Sequence, residues 1–285
     1  MTPSLEQIRT AAYNRWQHRG AGHGWHEADW SEAEQALLFA LNYRIEHFWD
    51  SAAVLGGFDH RINDAFANSR RVCRFCEQAE PRTTFDARSS ILPSTFEFPS
   101  HASRELCDEC AEGFLATTEE PLTAFFSEVL ECATPSSLTL NAYKGLLLAA
   151  LCVMPASQIE CCADAIEWLA GSGEDFEPKT LNVPNPIVHT FRIETGRSWF
   201  ALASRTDPDA LVPAILAFVG HPKFTVEYAI PFCTADDELD GDPLAMPLVP
   251  VLDGLSRWPG PVDQQQLSVT EPRKRRRRST LLIGA

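Results

Sequence analysis

Two Cys-x-x-Cys pairs, Cys73-Arg74-Phe75-Cys76 and Cys107-Asp108-Glu109-Cys110, stand thirty residues apart and constrain this chain more than any other feature. Each pair makes a tight turn that aims two thiolates at one point, and two such turns complete a tetrahedral four-sulfur site. The spacing predicts a structural zinc ion held by Cys73, Cys76, Cys107 and Cys110. The first pair sits in a knuckle, Val72 to Glu77, that leads into an expected β-hairpin. The second runs into Ala111-Glu112-Gly113-Phe114-Leu115, a helix start with cysteines on its first turn. Knuckle, hairpin and helix in that order describe a treble-clef finger. A redox Cys-x-x-Cys would need only one pair. Zinc in a finger of this size contributes folding energy outright, because the finger has little core of its own.

The residues between the pairs carry a resemblance. Glu80-Pro81-Arg82-Thr83-Thr84-Phe85, then Arg88-Ser89-Ser90-Ile91-Leu92-Pro93, then Leu106-Cys107-Asp108-Glu109-Cys110 resemble a branch of the HNH endonuclease superfamily. In that branch a C-x-x-C-G-x-x-x-P-x-x-T-F opening leads to E-A-H-x-I-P and closes with C-D-x-C-N. Leu140-Asn-Ala-Tyr-Lys-Gly-Leu146, Met154-Pro155 and Ile166-Glu-Trp-Leu169 resemble the helical half that follows, so the likeness runs from about residue 73 to 171. It implies the finger fold and the zinc site. The chain departs from the family where the chemistry would be. The catalytic histidine falls on Ser90, the asparagine after the second pair on Ala111, and the Gly-Asn near Glu97 and Phe98. HNH hydrolysis needs an imidazole to deprotonate water and further His, Asn or Asp groups to hold a cation on the phosphate. A serine hydroxyl cannot act as that base.

The charge balance argues the same way. Net charge is −15, and Arg273-Lys274-Arg275-Arg276-Arg277-Arg278 holds six of the 24 basic residues. Residues 1–270 therefore carry 18 basic against 38 acidic side chains, a net of −20. Such a body repels a phosphate backbone. The expected function is a non-catalytic zinc-binding adaptor or regulatory protein on a degenerate HNH-like finger. The resemblance suggests a setting in a bacterial mobile-element or phage-defence locus, and the expected partner is another protein. One alternative is a divergent metal-dependent nuclease that recruits His60 or His101, the latter eleven residues past the family position. Another is a nucleic-acid-binding module that uses only the basic tail, Arg273 to Arg278. Six consecutive cations cannot pack in a core, and the bland reading of that tail is a solvated segment that aids solubility.

In fold class the chain is expected to be mainly α, with a small ββα treble-clef zinc finger and a short C-terminal α+β unit. The expected divisions are a helical pair (1–50), a linker (51–71), the finger with its following helices (72–171), an α+β unit (172–262) and a disordered basic tail (263–285). In the first, Ser4-Leu5-Glu6-Gln7 is a capping-box pattern and Ser31 starts a second helix with Leu37, Leu41, Ile45 and Phe48 on one face. Ile8-Arg9, Ala12-Tyr13, Trp16, the glycine-rich turn and Trp30 to Glu34 resemble a short bacterial helical family of unknown function. Loop residues His18, His23 and His26 lack convergent spacing and read as solvated. Pro121–Cys132 reads as a separate helix, Ser137 as the cap of a buried helix to Met154, and Ser157 as the start of a capping box. Lys144 on that apolar helix reads as a snorkelling lysine. Residues 187–194 and 198–204 read as a hairpin, 209–219 as a helix and 224–231 as a strand, and 234–243 as a solvated acidic turn.

No apolar run reaches membrane-spanning length, and the N-terminus lacks the basic-then-apolar pattern of a signal peptide, so a cytoplasmic location is expected. Cys132, Cys152, Cys161, Cys162 and Cys233 then read as reduced core residues. The vicinal pair Cys161-Cys162 could serve as a thiol switch, but small-residue packing in a helix is the preferred reading.

Overall fold

A computed structural model describes residues 3–18, 20–22, 24, 26–50, 71–86, 92–93, 105–131, 135, 137–171, 183–191, 198–237, 239, 244, 246 and 262–270. His23, the linker to residue 70, Ser90, Glu97, Phe98, His60, His101, Cys132 and the tail from 271 lie outside the described residues.

The chain begins as the capping-box pattern predicts. In α1 (Leu5–His18) the Gln7 amide donates to Ser4 Oγ at 3.3 Å and the Ser4 amide donates back to Gln7 Oε1 at 2.8 Å. Gly20 at φ 85° and Gly24 at φ 103° turn the chain through the left-handed region into α2 (His26–Asn42). Ile8, Ala12 and Ala33 bury the seam between the two helices. Here the sequence expectation needs correcting. The second helix starts at His26, before Ser31, and ends at Asn42. Tyr43–Asp50, expected to continue it, is strand β1. The Asn42 carbonyl accepts from the Thr206 amide at 2.8 Å, and β1 pairs antiparallel along Trp199–Arg205, so sheet pairing overrides the i, i+4 apolar pattern.

Helices and an antiparallel sheet share the molecule, and the sheet is larger than the short unit expected. Among the described residues it has six strands: β1, β3 (Ile187–Phe191), β4 (Trp199–Arg205), β5 (Ile215–His221), β6 (Phe224–Ala229) and β7 (Val262–Gln266). Their order is β1-β4-β5-β6-β3-β7. Residues 187–204 are therefore not a hairpin. β5 and β6 lie between β3 and β4, and β3 pairs with β6 and β7 instead. Residues 209–219 are not a helix either. Pro213 interrupts any helix there, and Ile215–His221 is a central strand. Ile215-Leu-Ala-Phe-Val219 is buried on both faces, which erases the alternation by which a strand is recognised. The strand read at 224–231 is β6. At Gly220 a Cβ would lie 2.0 Å from the Trp199 ring across the β4–β5 pair, so this position excludes any side chain.

One face of the sheet packs on the helices. Helix α3 (Asp108–Leu130) runs unbroken through Pro121, so no separate helix begins there. Leu122, Phe125, Phe126 and Val129 carry its buried stripe past the missing N–H. Helix α4 (Leu140–Val153) is almost wholly buried between α3 and the sheet. Its cap is Thr139, whose Oγ1 accepts from the Ala142 amide at 3.2 Å. Ser137 lies instead in β2 (Ser137–Thr139), parallel to β8 (Ser268–Thr270). Tyr143 Oη donates to the Ala229 carbonyl at 2.9 Å and Tyr228 Oη to the Leu146 carbonyl at 2.7 Å, which pins α4 to β6 in both directions. Pro155, not Ser157, caps α5 (Ala156–Ile159); a 3-10 turn at Glu160–Cys162 and α6 (Ala163–Ala170) follow. No helix among the described residues is long and apolar enough to cross a membrane.

Two candidate metal centres

The four cysteines singled out by their spacing converge. Every Sγ of Cys73, Cys76, Cys107 and Cys110 lies within 4.8 Å of the others, and Cys76 and Cys107 are 3.7 Å apart. A tetrahedral ion with sulfur at about 2.3 Å sets its ligands about 3.8 Å from one another. The local chain explains the convergence. The Glu77 amide returns to the Cys73 carbonyl at 2.9 Å and the Cys73 amide reaches the Gln78 carbonyl at 2.8 Å, while Glu77 takes φ 58° to complete the knuckle. Val72 and Ala79 close it with a β-bridge. Cys107 is the extended residue before α3, and its amide donates to Cys73 Sγ at 3.5 Å. Cys110 follows on the first turn of that helix. Ala111, next along that turn, is a buried apolar residue.

Charge inside this cluster is unevenly shared. Burial raises the Cys107 thiol, but hydrogen bonds from Thr83 and from its cysteine neighbours outweigh that and bring it down to about 7. Burial pushes Cys73 up. Cys110 is pushed well above the usual thiol range by burial, by charge on Cys73 and by its contact with Cys107. One thiolate forms readily and the next ones are opposed, the condition that a bound cation relieves.

Three further cysteines, read from the sequence as separate core residues, also converge. The Sγ atoms of Cys161, Cys162 and Cys233 all lie within 4.8 Å of one another, with Cys161 and Cys162 at 3.8 Å. Cys162 and Cys233 are buried and Cys161 is half-buried. Hydrogen bonds from Cys162 and Cys233 pull Cys161 down to about 3, and the same contacts raise Cys162 and bring Cys233 to about 12. Nothing in the spacing of a vicinal pair and a residue 71 positions later announces this cluster. None of the eight described cysteines is in a disulfide, and either cluster could hold a metal ion.

The first cluster meets the C-terminal end of α4, and Cys161 and Cys162 follow on the same run of chain beyond Pro155. Arg74, between the two cysteines of the knuckle, donates to the Leu151 and Met154 carbonyls, the latter at 2.8 Å, and pairs with Glu105 at 3.5 Å. It thus caps the helix that leads through Pro155 to Cys161. Burial opposes its charge, while Glu105, Cys152 and Cys162 favour it. Beside the second cluster, Asp236 in α7 (Thr234–Asp237) accepts from Arg205 at 3.0 Å and from the Ala214 amide at 2.8 Å.

Other groups sort themselves plainly. Lys144 Nζ lies 4.8 Å from the Trp168 ring centre, so its partner is an aromatic face. His189 and Glu227, wholly buried on β3 and β6, meet at 2.9 Å, a pair the sequence reading missed. The alternation that places His189 on the same face as the buried Ile187 was its signal. Arg273, Lys274, Arg275, Arg276, Arg277 and Arg278 lie outside the described residues. Among known families, residues 4–38 match one described as "Protein of unknown function (DUF2934)". No curated protein and no solved structure matches the chain.

Proposed function

We propose that this protein is a non-catalytic, zinc-stabilised adaptor whose treble-clef finger, of degenerate HNH type, is a structural part of the main body. The observation that carries this reading is the placement of the four-sulfur cluster. Cys73, Phe75, Phe85, Leu106 and Cys107 belong to the same continuous core as α3, α4 and one sheet face. Phe75 packs edge-on against Phe114 at 5.0 Å, and Arg74 caps α4. A finger whose buried side is used up in this way serves folding, and the ion it suits is one with a closed four-thiolate shell. The lack of catalysis rests on the residue types at the family positions, Ser90 and Ala111, and on the −20 charge of residues 1–270.

The test has two parts. Zinc should be present in the purified full chain, and Cys110→Ser should remove one zinc ion. Incubation with supercoiled, linear and single-stranded DNA and with RNA, in magnesium, manganese or nickel, should leave every substrate intact. Cleavage that follows the protein through purification and is lost on His101→Ala would replace the adaptor by a nuclease.

A further inference from the structure

The backbone is bent at both places where the second trio of cysteines meets. Neighbouring residues of a regular α-helix project about 100° apart, so Cys161 and Cys162 could not share a point from within one. The helix is broken there. Glu160–Cys162 is a 3-10 turn, and Cys162 stands at φ −108°, ψ 17° before α6 begins. Cys233 follows Phe232, a non-glycine residue at φ 56°, in the turn between β6 and α7. That conformation is disfavoured for an L-residue and persists only where its surroundings impose it. Phe232 is held by its edge-on contact with Trp168 at 5.4 Å. The knuckle of the first cluster uses the same device at Glu77, φ 58°, directly after Cys76. Apolar packing needs neither bend, since a single buried thiol fills space as a small hydrophobe.

We propose that Cys161, Cys162 and Cys233 form a second metal site, a three-thiolate site for one soft, thiophilic ion, zinc or copper(I). The geometry fits that chemistry. A trigonal ion with sulfur at about 2.3 Å holds its ligands about 4.0 Å apart, against 3.8 Å between Cys161 and Cys162 and an upper bound of 4.8 Å for the trio. Soft thiolates select zinc and copper(I) over hard cations. Binding displaces the thiol protons to solvent and involves no change of oxidation state. Zinc would leave one coordination position for an outside ligand; copper(I) is satisfied by three sulfurs. Thr234-Ala235-Asp236 continues from Cys233, and Asp236 Oδ2 is buried without a hydrogen-bond partner among the described residues, so acidic character lies beside the site.

The experiment uses the full chain loaded with cadmium-113 and observed by NMR, with native mass spectrometry for the ion count. Two resonances and two ions per chain are expected. Cys161→Ser and Cys233→Ser should each remove one resonance and one ion, while Cys152→Ala, a buried cysteine outside the trio, removes neither. Cys161 is half-buried, so its variant reports even if Cys233→Ser fails to fold. Zinc and copper(I), offered separately under reducing conditions against a chelating dye, then distinguish the ion. A single resonance untouched by Cys161→Ser overturns the proposal. So does a metal-free chain that loses two hydrogens on mild oxidation by linking Cys233 to Cys161 or Cys162 and takes up no second ion. Failure at the four-sulfur site is a different result, since there Cys110→Ser changes nothing while Cys161→Ser still removes a resonance.

Discussion

The two cysteine clusters are built by opposite routes. The four-sulfur cluster is written into one short stretch, where each Cys-x-x-Cys turn brings two thiols together before any long-range fold exists. The three-sulfur cluster needs α4, the break after Pro155 and the whole β4-β5-β6 meander before Cys233 reaches Cys161 and Cys162. Closing a loop of that length costs entropy that local turns do not. Metal bound at the first can therefore act as a nucleus for folding, whereas metal at the second can only reward a chain already folded.

The largest expected effect separates the two on this ground. Cys107→Ser removes a ligand from a site that zinc would stabilise by an apparent ~10–16 kcal/mol in isolated fingers. Because Cys107 belongs to the main core, the loss should spread. We expect most of the chain to be insoluble or unfolded at 25 °C, and the parent to follow when a strong chelator is added. Cys233→Ser, measured with chelator present, should cost only the roughly 1–3 kcal/mol of burying a hydroxyl in place of a thiol. Circular dichroism with denaturant titration checks both. Equal losses for the two substitutions would erase the distinction between a folding site and a folded-state site.

How far each cluster could be foreseen follows from the same contrast. Ligand spacing, the capping box at Ser4 and the buried character of α4 are local signals, and all were legible. Strand pairing was not. Residues 187–204 look like a hairpin because two short apolar runs flank Thr195-Gly196-Arg197, yet long-range pairing inserts β5 and β6 between them. Tyr43–Asp50 keeps a helical apolar spacing and becomes an edge strand because β4 offers it backbone partners. Ile215–Val219 lost its alternation to burial on both faces. Cys161, Cys162 and Cys233 escaped notice for the same reason, since only the completed sheet brings them together.

A smaller effect sharpens the comparison at the second cluster. Burial raises the Asp236 carboxyl from 3.8 to about 6, the Arg205 ion pair and the Ala214 amide hold it back, and the charge on Cys161 pushes it further up. A carboxyl with a raised folded-state value favours folding while it is protonated in both states and loses that contribution as it ionises. The stability it contributes is thus complete below about pH 4 and is lost as pH rises through about 6. The shift corresponds to about 3 kcal/mol. Asp236→Asn keeps an acceptor for Arg205 and Ala214 but cannot ionise. Relative to the parent, it should gain about 2–3 kcal/mol between pH 4 and pH 7, measured by urea unfolding of metal-free protein. A difference that stays constant across that range would mean that Arg205 and the Ala214 amide fully offset burial and the neighbouring negative charge.

The smallest effect asks whether the clusters know of each other. Arg74 belongs to the first by sequence and touches the second by charge, with its guanidinium on the Leu151 and Met154 carbonyls of α4. Glutamine in its place keeps an amide donor but removes the charge. Arg74→Gln alone should cost about 1.5–3 kcal/mol, the range for hydrogen bonds from a charged donor. Its combination with Cys162→Ala is the informative variant. If the Arg74 charge is coupled to Cys162, the double variant should lose about 1 kcal/mol less than the sum of the single losses, within the range found for residues in one network. The same cycle with Cys233→Ala, a cysteine outside the groups that favour the Arg74 charge, should be closer to additive. All six proteins are compared in chelator at pH 7 by denaturant unfolding, so that metal does not mask the coupling. Additivity within about 0.3–0.5 kcal/mol in both cycles would make the two clusters energetically separate, with Arg74 serving only as the cap of α4.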